Sequence, residues 1–280
     1  IYEVPLKMRD ERLDERVLEH LELPSGNGNI ENWTRLVRQM ENPKSKVKIG
    51  MVGKYVELED AYISIIEAFQ HGAAKTRIMP DFKWISSENI RQDNAHNKLG
   101  HLDGVVIPPG FGKRGVEGKI ETIRYLRKEK IPFFGICVGM QCATIEYARN
   151  ALGLEDANSR EFDSSTTHPV IDLMPDQQEV DQKGGTMRLG SYTSKVNENT
   201  RTKEIYNKSV IKERHRHRYE FNNDYREEFN KNGMQIAATS KGGKLVEVIE
   251  LRNHPWFIGV QFHPEFKSRL EDPHPLFCNF

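Results

Sequence analysis

Hydrophobic residues in the first 150 positions alternate between strand-like runs and helix-like spacing. Apolar runs rich in β-branched or aromatic residues predict buried strands over residues 47–53, 82–85, 102–107 and 133–136. Apolar residues at helical spacing predict helices over residues 58–73 and 116–127, and another from Met140 onward. This alternation predicts an α/β fold with a doubly wound, mostly parallel central sheet and flanking helices.

After residue 153 the pattern changes to shorter strands. They are predicted over residues 170–173, 187–196, 213–221, 234–238, 245–251 and 256–262. Only a short turn-forming segment containing His254 and Pro255 separates the last two, which predicts that they are antiparallel neighbours. We therefore expect an additional antiparallel strand region beside the parallel sheet.

The first 45 residues are polar and charge-dense. Apolar spacing predicts one helix around residues 13–21 and a second, short amphipathic helix over residues 30–40, with a break at residues 25–29. We interpret residues 1–45 as an interdomain linker with helices, and residues 46–280 as the domain that carries the function.

Composition excludes several classes of function. The 280 residues include 41 Lys and Arg against 41 Asp and Glu, so no global charge favours nucleic acid or a membrane surface. No run of 18 apolar residues occurs and the chain starts at Ile1, so we expect a soluble piece of a longer protein. The three cysteines lack the spacing of zinc ligands and argue against a disulfide framework, which fits a reducing cytosol.

The segment Gly135-Ile136-Cys137-Val138-Gly139 is the strongest candidate for chemistry. A buried strand ends here and helical spacing begins, and the glycines on either side of Cys137 permit the tight turn of a nucleophile elbow. A thiol in this position lies at a helix N terminus, which favours the thiolate and so activates the nucleophile. The alternative is that Cys137 is only a small residue buried in the core. Other segments of the chain must decide between these two interpretations.

Two further segments supply groups that a cysteine nucleophile needs. His263 follows a predicted strand, and Glu265 is placed to orient its imidazole as a base. By itself, a His-Pro-Glu sequence is more often a surface turn. Residues 108–112 (Pro-Pro-Gly-Phe-Gly) form a glycine-bearing loop after a central strand, where open α/β sheets bind their ligands.

Two competing sites are weaker. Residues 50–55 resemble a phosphate-binding loop, but the spacing of their glycines is too short and Tyr55 replaces the Ser or Thr that would hold magnesium. His215 and His217 share one face of a predicted strand, as metal ligands would. The arginines interleaved with them disfavour a divalent cation and favour a hydrogen-bonded or interface role, so we predict no metal site.

The elbow, the glycine-bearing loop and the late His-Pro-Glu together resemble class I glutamine amidotransferases. Further motifs, in the same order along nearly the whole chain, resemble the glutaminase half of the CTP synthase family more narrowly. They lie at residues 1–6, 53–62, 110–118, 135–141, 157–162, 184–190, 213–220 and 259–266. On this resemblance, residues 46–280 are the glutamine amidotransferase domain.

The resemblance implies glutamine hydrolysis by acyl transfer. Cys137 would be the nucleophile, His263 the base and Glu265 the carboxylate that holds the imidazole. Backbone N–H groups of Val138 and Gly110 would bind the oxyanion.

The resemblance also implies contacts to the bound glutamine from Gly110, Phe111, Gln141, Glu161 and Arg218. The planar guanidinium of Arg218 suits bidentate binding of the α-carboxylate. Arg114 and Glu117 resemble the region that the family uses for activation by GTP. The alternative is that they are simply solvent-exposed residues at the start of a helix.

One position departs from the family's pattern. Where CTP synthases have Pro-Gly-Gly-Phe-Gly, this chain has a proline, Pro109, in place of the first glycine. In the family that glycine offers an N–H to the oxyanion, and proline has none. We therefore expect either slow glutamine hydrolysis or a donor supplied by Gly110.

The resemblance implies no cofactor in this domain. ATP, UTP and Mg²⁺ would act in an amidoligase domain of a longer, homotetrameric protein, with GTP as an allosteric activator; neither nucleic acid nor a membrane is an expected partner. Two other functions stay open: a catalytically weak regulatory or assembly module of the same fold, and a stand-alone γ-glutamyl cysteine hydrolase. The match at residues 1–6 argues against the hydrolase.

Overall fold

A nine-stranded mixed sheet forms the centre of the molecule in the computed structural model, which describes residues 1–26, 28–173 and 187–280. A second, smaller sheet has three strands. In chain order the strands of the two sheets are β1 (Ser45–Gly53), β2 (Ile78–Ser86), β3 (Gly104–Ile107), β4 (Phe133–Ile136), β5 (Asn158–Ser159), β6 (Pro169–Leu173), β7 (Arg188–Val196), β8 (Val210–His217), β9 (Tyr219–Phe221), β10 (Met234–Ser240), β11 (Val246–Leu251) and β12 (Phe257–Val260).

Helices connect most of these strands. Along the described residues they are α1 (Val4–Asp10), α2 (Leu13–His20), α3 (Glu31–Glu41), α4 (Ile63–Thr76), α5 (Ala95–Leu99), α6 (Val116–Glu129), α7 (Val138–Asn150), α8 (Arg201–Tyr206), α9 (Arg226–Lys231) and α10 (Pro275–Asn279). Short 3₁₀ turns cover Glu59–Tyr62, Ser87–Asn89, Asn223–Tyr225 and Pro264–Lys267. In the part of the chain that is described, no helix has the length and apolar character needed to cross a membrane.

The large sheet joins a parallel half to an antiparallel half. Parallel pairings link the strands in the order β2-β1-β3-β4-β12, and antiparallel pairings extend the sheet through β11, β10, β7 and β8. The predicted doubly wound α/β fold with an additional antiparallel region is confirmed. The two strands predicted to be antiparallel neighbours are β11 and β12, which pair in that way.

A hydrophobic core lies on each face of this sheet. Successive side chains of a strand point to opposite faces, so Phe133 packs in the core that includes residues of α6 and α7, and Phe134 packs in the core that includes residues of α4 and α10. Both rings are fully buried. Because β4 is central and covered on both faces, the position of its C-terminal end is well fixed.

The N-terminal segment packs against α4. Trp33 Nε1 donates a hydrogen bond of 2.8 Å to the Tyr2 carbonyl, and the Tyr2 hydroxyl donates to Glu67 of α4. The two helices predicted in residues 1–45 correspond to α2 and α3, whereas α1 was not predicted. The boundary at residue 45 and the linker role stay predictions.

Two predicted elements differ from the structure. The single strand predicted over residues 213–221 is wrong, because the chain forms β8 in the large sheet and β9 in the small one, with a break at Arg218. Alternation of buried residues continues across most of this stretch, so periodicity could not reveal the break. The helix predicted from residue 58 begins as a 3₁₀ turn, and α4 starts at Ile63.

Residues 184–186 of the motif at 184–190 lie outside the described residues.

The tight turn after β4 leaves no room for a β-carbon at Gly135 or at Gly139. A β-carbon on Gly139 would lie 2.3 Å from the Ile107 carbonyl oxygen, and one on Gly135 would lie 2.7 Å from the carbonyl carbon of Gly139. These separations are far below any normal van der Waals contact. The start of α7 therefore lies directly against the end of β3, and glycine is required at both positions.

We expect Gly139→Ala to lower the free energy of unfolding by about 1–3 kcal/mol, because the backbone of β3 must move to admit the methyl group. Chemical denaturation measures the change. Gly242→Ala is the matched control, since no atom lies within 4 Å of a β-carbon there. A Gly139→Ala protein as stable as the control would contradict the tight packing.

Candidate active site

Cys137 occupies a strained turn at the centre of the sheet. It follows β4 directly, precedes the first residue of α7, and has φ 53° and ψ −103°. Its N–H donates a hydrogen bond of 2.7 Å to the Val260 carbonyl at the end of β12. Backbone strain of this kind persists only where the surroundings enforce it. The neighbouring strands therefore hold the thiol, which is 3% exposed, at the N terminus of α7.

His263 and Glu265 form a buried pair beside this turn. His263 Nδ1 lies 2.7 Å from Glu265 Oε1, and the His263 N–H donates to the Arg214 carbonyl of β8 at 2.7 Å. The Phe266 ring stacks on the imidazole at 5.1 Å. Within the described residues, His263 Nε2 has no hydrogen-bonding partner. The carboxylate and the β8 backbone thus fix the ring and leave its second nitrogen available for proton transfer.

The charges around His263 favour its protonated form. Burial by itself lowers the pKa of His263, but its interactions with Cys137 and with Glu265 raise it to about 10. The protonated imidazole is thus the favoured form at neutral pH, and it can act as a proton donor in acyl transfer.

A cavity of about 210 Å³ opens at Cys137. Its lining contains every residue for which the sequence implied a contact to glutamine. The lining residues are Gly110, Phe111, Cys137, Gln141, Glu161, Met187, His217, Arg218 and Tyr219. Segments that are far apart in the sequence thus converge on one small, partly enclosed site next to the thiol.

The glycine-bearing loop forms one wall of the cavity. The Gly112 N–H donates a hydrogen bond of 2.9 Å to Glu161 Oε1, and Lys54 Nζ donates to the Phe111 carbonyl. The Phe111 side chain is 53% exposed at the cavity. Glu161 therefore anchors this loop as well as lining the cavity, a role that the sequence did not indicate.

Val138 and Gly110, whose backbone N–H groups the sequence predicted to bind an oxyanion, lie next to each other in the structure. Val138 is the first residue of α7, where N–H groups have no partner within the helix. Gly110 lies next to it, because a β-carbon on Gly110 would be 3.9 Å from Val138 Cγ1. Pro109 precedes Gly110 and has no N–H. Of these two loop residues, therefore, only Gly110 has a backbone N–H that could act beside that of Val138.

Arg218 lies at the break between β8 and β9, where the chain crosses from one sheet to the other. Its side chain lines the cavity, and within the described residues its buried Nε has no hydrogen-bonding partner. Gln141 Nε2 donates a hydrogen bond of 3.2 Å to the carbonyl of Tyr219, which follows Arg218 and is the first residue of β9. A guanidinium at the cavity with a free Nε in the described part of the chain is suited to a carboxylate ligand.

Sequence reasoning missed Gln261, whose Nε2 donates to Cys137 Sγ at 3.8 Å. The residue follows β12 directly and is fully buried. A buried amide just before His263 was the available signal, since an amide in the core needs hydrogen-bonding partners. Met187 and Tyr219 were also not predicted as cavity residues.

Arg114 and Glu117, the candidate residues for GTP, do not line this cavity. Arg114 pairs with Glu88 at 3.0 Å, and Glu117 pairs with Arg149 at 2.8 Å. Glu117 and Glu88 line a second cavity, of about 690 Å³, next to the start of α6. The two residues therefore make separate surface ion pairs outside the Cys137 site.

His215 and His217 share the buried face of β8, as predicted. His215 Nδ1 lies 2.9 Å from His217 Nε2, and burial beside Arg188 lowers the pKa of His215 to about 2 and that of His217 to about 3. Both rings are therefore neutral. Among the described residues, no three His, Cys, Asp or Glu side chains form a group that could hold a metal ion.

Comparison with known proteins decides the family. A sequence model of class-I glutamine amidotransferases matches residues 57–280. The chain belongs to the class I glutamine amidotransferase family. Within that family it is similar to the glutaminase domain of a Trypanosoma brucei CTPS, solved with bound acivicin, with 36% identity and a TM-score of 0.78 over 83% of this chain and 91% of that chain. It is thus a glutaminase domain of the CTP synthase type.

Curated relatives of this amidotransferase domain agree. CTP synthases from Ruminiclostridium cellulolyticum and Clostridium acetobutylicum are 55% and 53% identical to it over 280 residues. Each alignment covers 100% of this chain and 52% of the relative. The chain therefore spans about half the length of the curated relatives that it matches.

Glu265→Gln should move the alkaline limb of the pH profile of kcat/KM to lower pH by about one unit or more, because it removes a charge that raises the pKa of His263. The imidazolium, which would protonate the leaving ammonia, is then lost at lower pH. Glu271→Gln, at an exposed position, is the control. Identical alkaline limbs in the Glu265→Gln variant and its parent would show that Glu265 does not act on His263.

Arg218→Lys should raise the KM for glutamine by about tenfold while changing kcat less, because lysine keeps the charge but loses the bidentate geometry. Steady-state kinetics of glutamate release measure both constants. Arg216→Lys is the matched control, since Arg216 lies two residues earlier on the exposed face of β8. An unchanged KM in Arg218→Lys would exclude Arg218 from glutamine binding.

Proposed function

We propose that this domain hydrolyses L-glutamine to glutamate and ammonia through a thioester on Cys137. The observation that carries the proposal is the cavity lined by both Cys137 and Arg218, whose buried Nε has no hydrogen-bonding partner among the described residues. The side-chain amide of glutamine needs the first group, and its α-carboxylate needs the second. Membership of the class I amidotransferases supports the same substrate.

The reaction proceeds in two steps. His263 accepts the proton of Cys137, and the thiolate attacks the amide carbon of glutamine. The N–H groups of Val138 and Gly110 bind the oxyanion, and the amide nitrogen takes a proton from His263 and leaves as ammonia. Water then attacks the thioester, which releases glutamate and restores the thiol.

Glu161 and Gln141 support the substrate site in this scheme. Glu161 accepts a hydrogen bond from the Gly112 N–H. It thereby keeps the glycine-bearing loop of residues 108–112, the oxyanion loop of this scheme, against the cavity. Gln141 holds the Tyr219 carbonyl beside Arg218. Phe111 covers the bound glutamine from the exposed side of the cavity.

We further propose that the ammonia is used in a longer protein to aminate UTP to CTP. CTP synthases of about twice this length support the proposal. An amidoligase domain would then bind ATP, UTP and Mg²⁺, GTP would activate hydrolysis through the region of Arg114 and Glu117, and the full-length protein would be a homotetramer. A reducing cytosol suits the three unpaired thiols of this chain.

Cys137→Ala should reduce glutamate release at least about 10³-fold, because Cys137 is the one thiol among the described cavity residues and the proposed acyl intermediate forms on it. An enzymatic assay for glutamate measures it. Cys278→Ala, a half-buried cysteine near the C terminus, should retain the parent rate. Glutamate release at the parent rate by Cys137→Ala would overturn the assignment of the nucleophile.

Pro109→Gly should accelerate glutamine hydrolysis at least about tenfold, because it restores a backbone N–H to the oxyanion loop. Steady-state kinetics compare kcat of the variant with kcat of the parent. Thermal unfolding of both proteins checks that the variant is folded. No gain in kcat would mean that Val138 and Gly110 already complete the oxyanion site.

A further inference from the structure

Lys119 is a buried lysine that the proposed mechanism does not use. It lies in the first turns of α6, on the face that also buries Val116, Ile120 and Ile123, and it is 3% exposed. An ammonium group at such a position is unusual, because the charge loses its hydration unless an opposite charge compensates it. An apolar residue would fill this face of the helix at lower cost.

The ammonium lies directly behind the oxyanion loop. A β-carbon on Gly110 would be 3.7 Å from Lys119 Nζ and 3.9 Å from Val138 Cγ1. Gly110 and Val138 are the two residues whose N–H groups bind the oxyanion in the proposed mechanism. Lys119 itself is absent from the cavity lining. Its charge therefore acts on the site through the loop backbone and not by contact with substrate.

The negative groups near Lys119 belong largely to the active site. Burial lowers the pKa of Lys119, and the positive charge of Lys54 lowers it further, whereas Cys142, Cys137 and Glu161 raise it. Cys142 is fully buried, and burial raises its pKa to about 11, so it stays a neutral thiol at neutral pH. The other two groups that raise the pKa of Lys119, Cys137 and Glu161, both line the cavity.

We propose that Lys119 is a positioning residue that supplies a fixed positive charge behind the oxyanion loop and stabilises both the Cys137 thiolate and the oxyanion at Gly110 and Val138. A preorganised charge in a site that excludes water acts more strongly than it would in solvent. The absence of an N–H at Pro109 increases the need for it. This role rests on the glutaminase function proposed above.

The first test is Lys119→Met, which keeps most of the side-chain length and removes the charge. We expect kcat for glutamine hydrolysis to fall about tenfold or more with KM nearly unchanged, since the ammonium does not touch substrate. The variant should unfold at the parent temperature or higher, because a buried charge has been replaced by an apolar group. Lys128→Met, at an exposed position of the same helix, should change neither quantity.

The second test measures the thiolate without turnover. The rate of Cys137 alkylation by iodoacetamide is followed against pH, and Cys137→Ala provides the background from the other cysteines. The midpoint should move to higher pH in Lys119→Met and stay near the parent value in Lys119→Arg, which keeps the charge.

An unchanged kcat and an unchanged alkylation midpoint in Lys119→Met would overturn the proposal. A lower kcat accompanied by lower stability and an unchanged midpoint would also overturn it, because the role would then be structural. If the parent releases no glutamate, the glutaminase function fails instead, and the alkylation midpoint still tests the effect of Lys119 on Cys137.

Discussion

The tight turn at Cys137 is the constraint on which the rest of the site depends. Its φ of 53° and ψ of −103° are unfavourable for a residue with a side chain, by about 1–3 kcal/mol. The fold maintains the turn because β4 is central in the sheet, the Cys137 N–H is bonded to Val260, and Gly139 lies against the Ile107 carbonyl. The turn places the thiol at the C-terminal end of β4, at the start of α7.

The parallel half of the sheet brings the other parts to this turn. The C-terminal ends of β3, β4 and β12 lie side by side, so the loop at Gly110, the thiol of Cys137 and the imidazole of His263 meet there. The antiparallel half supplies Arg218 through the crossing from β8 to β9, and the β8 backbone also holds the His263 N–H. The parallel half thus carries Cys137, His263 and the glycine-bearing loop, and the crossing out of the antiparallel half supplies Arg218.

The sequence predicted the parts of the site that depend on local pattern. The glycines around Cys137 and the spacing of His263 and Glu265 are visible within a few residues, and strand–helix alternation indicates that a parallel sheet unites them. The break at Arg218 could not be predicted, because it depends on pairing of β9 with β6 in a second sheet. Gln261 and Lys119 are polar residues whose importance comes only from tertiary contacts with Cys137 and Gly110.

The central claim is that Cys137 is the nucleophile of a glutamine site, and covalent labelling tests it most directly. A glutamine analogue with a chloroketone in place of the amide should alkylate one residue per chain, which peptide mass spectrometry identifies. The account predicts that this residue is Cys137 and that excess L-glutamine prevents the reaction. Labelling of Cys142 or Cys278 instead, or labelling of Cys137 that glutamine does not slow, would contradict it.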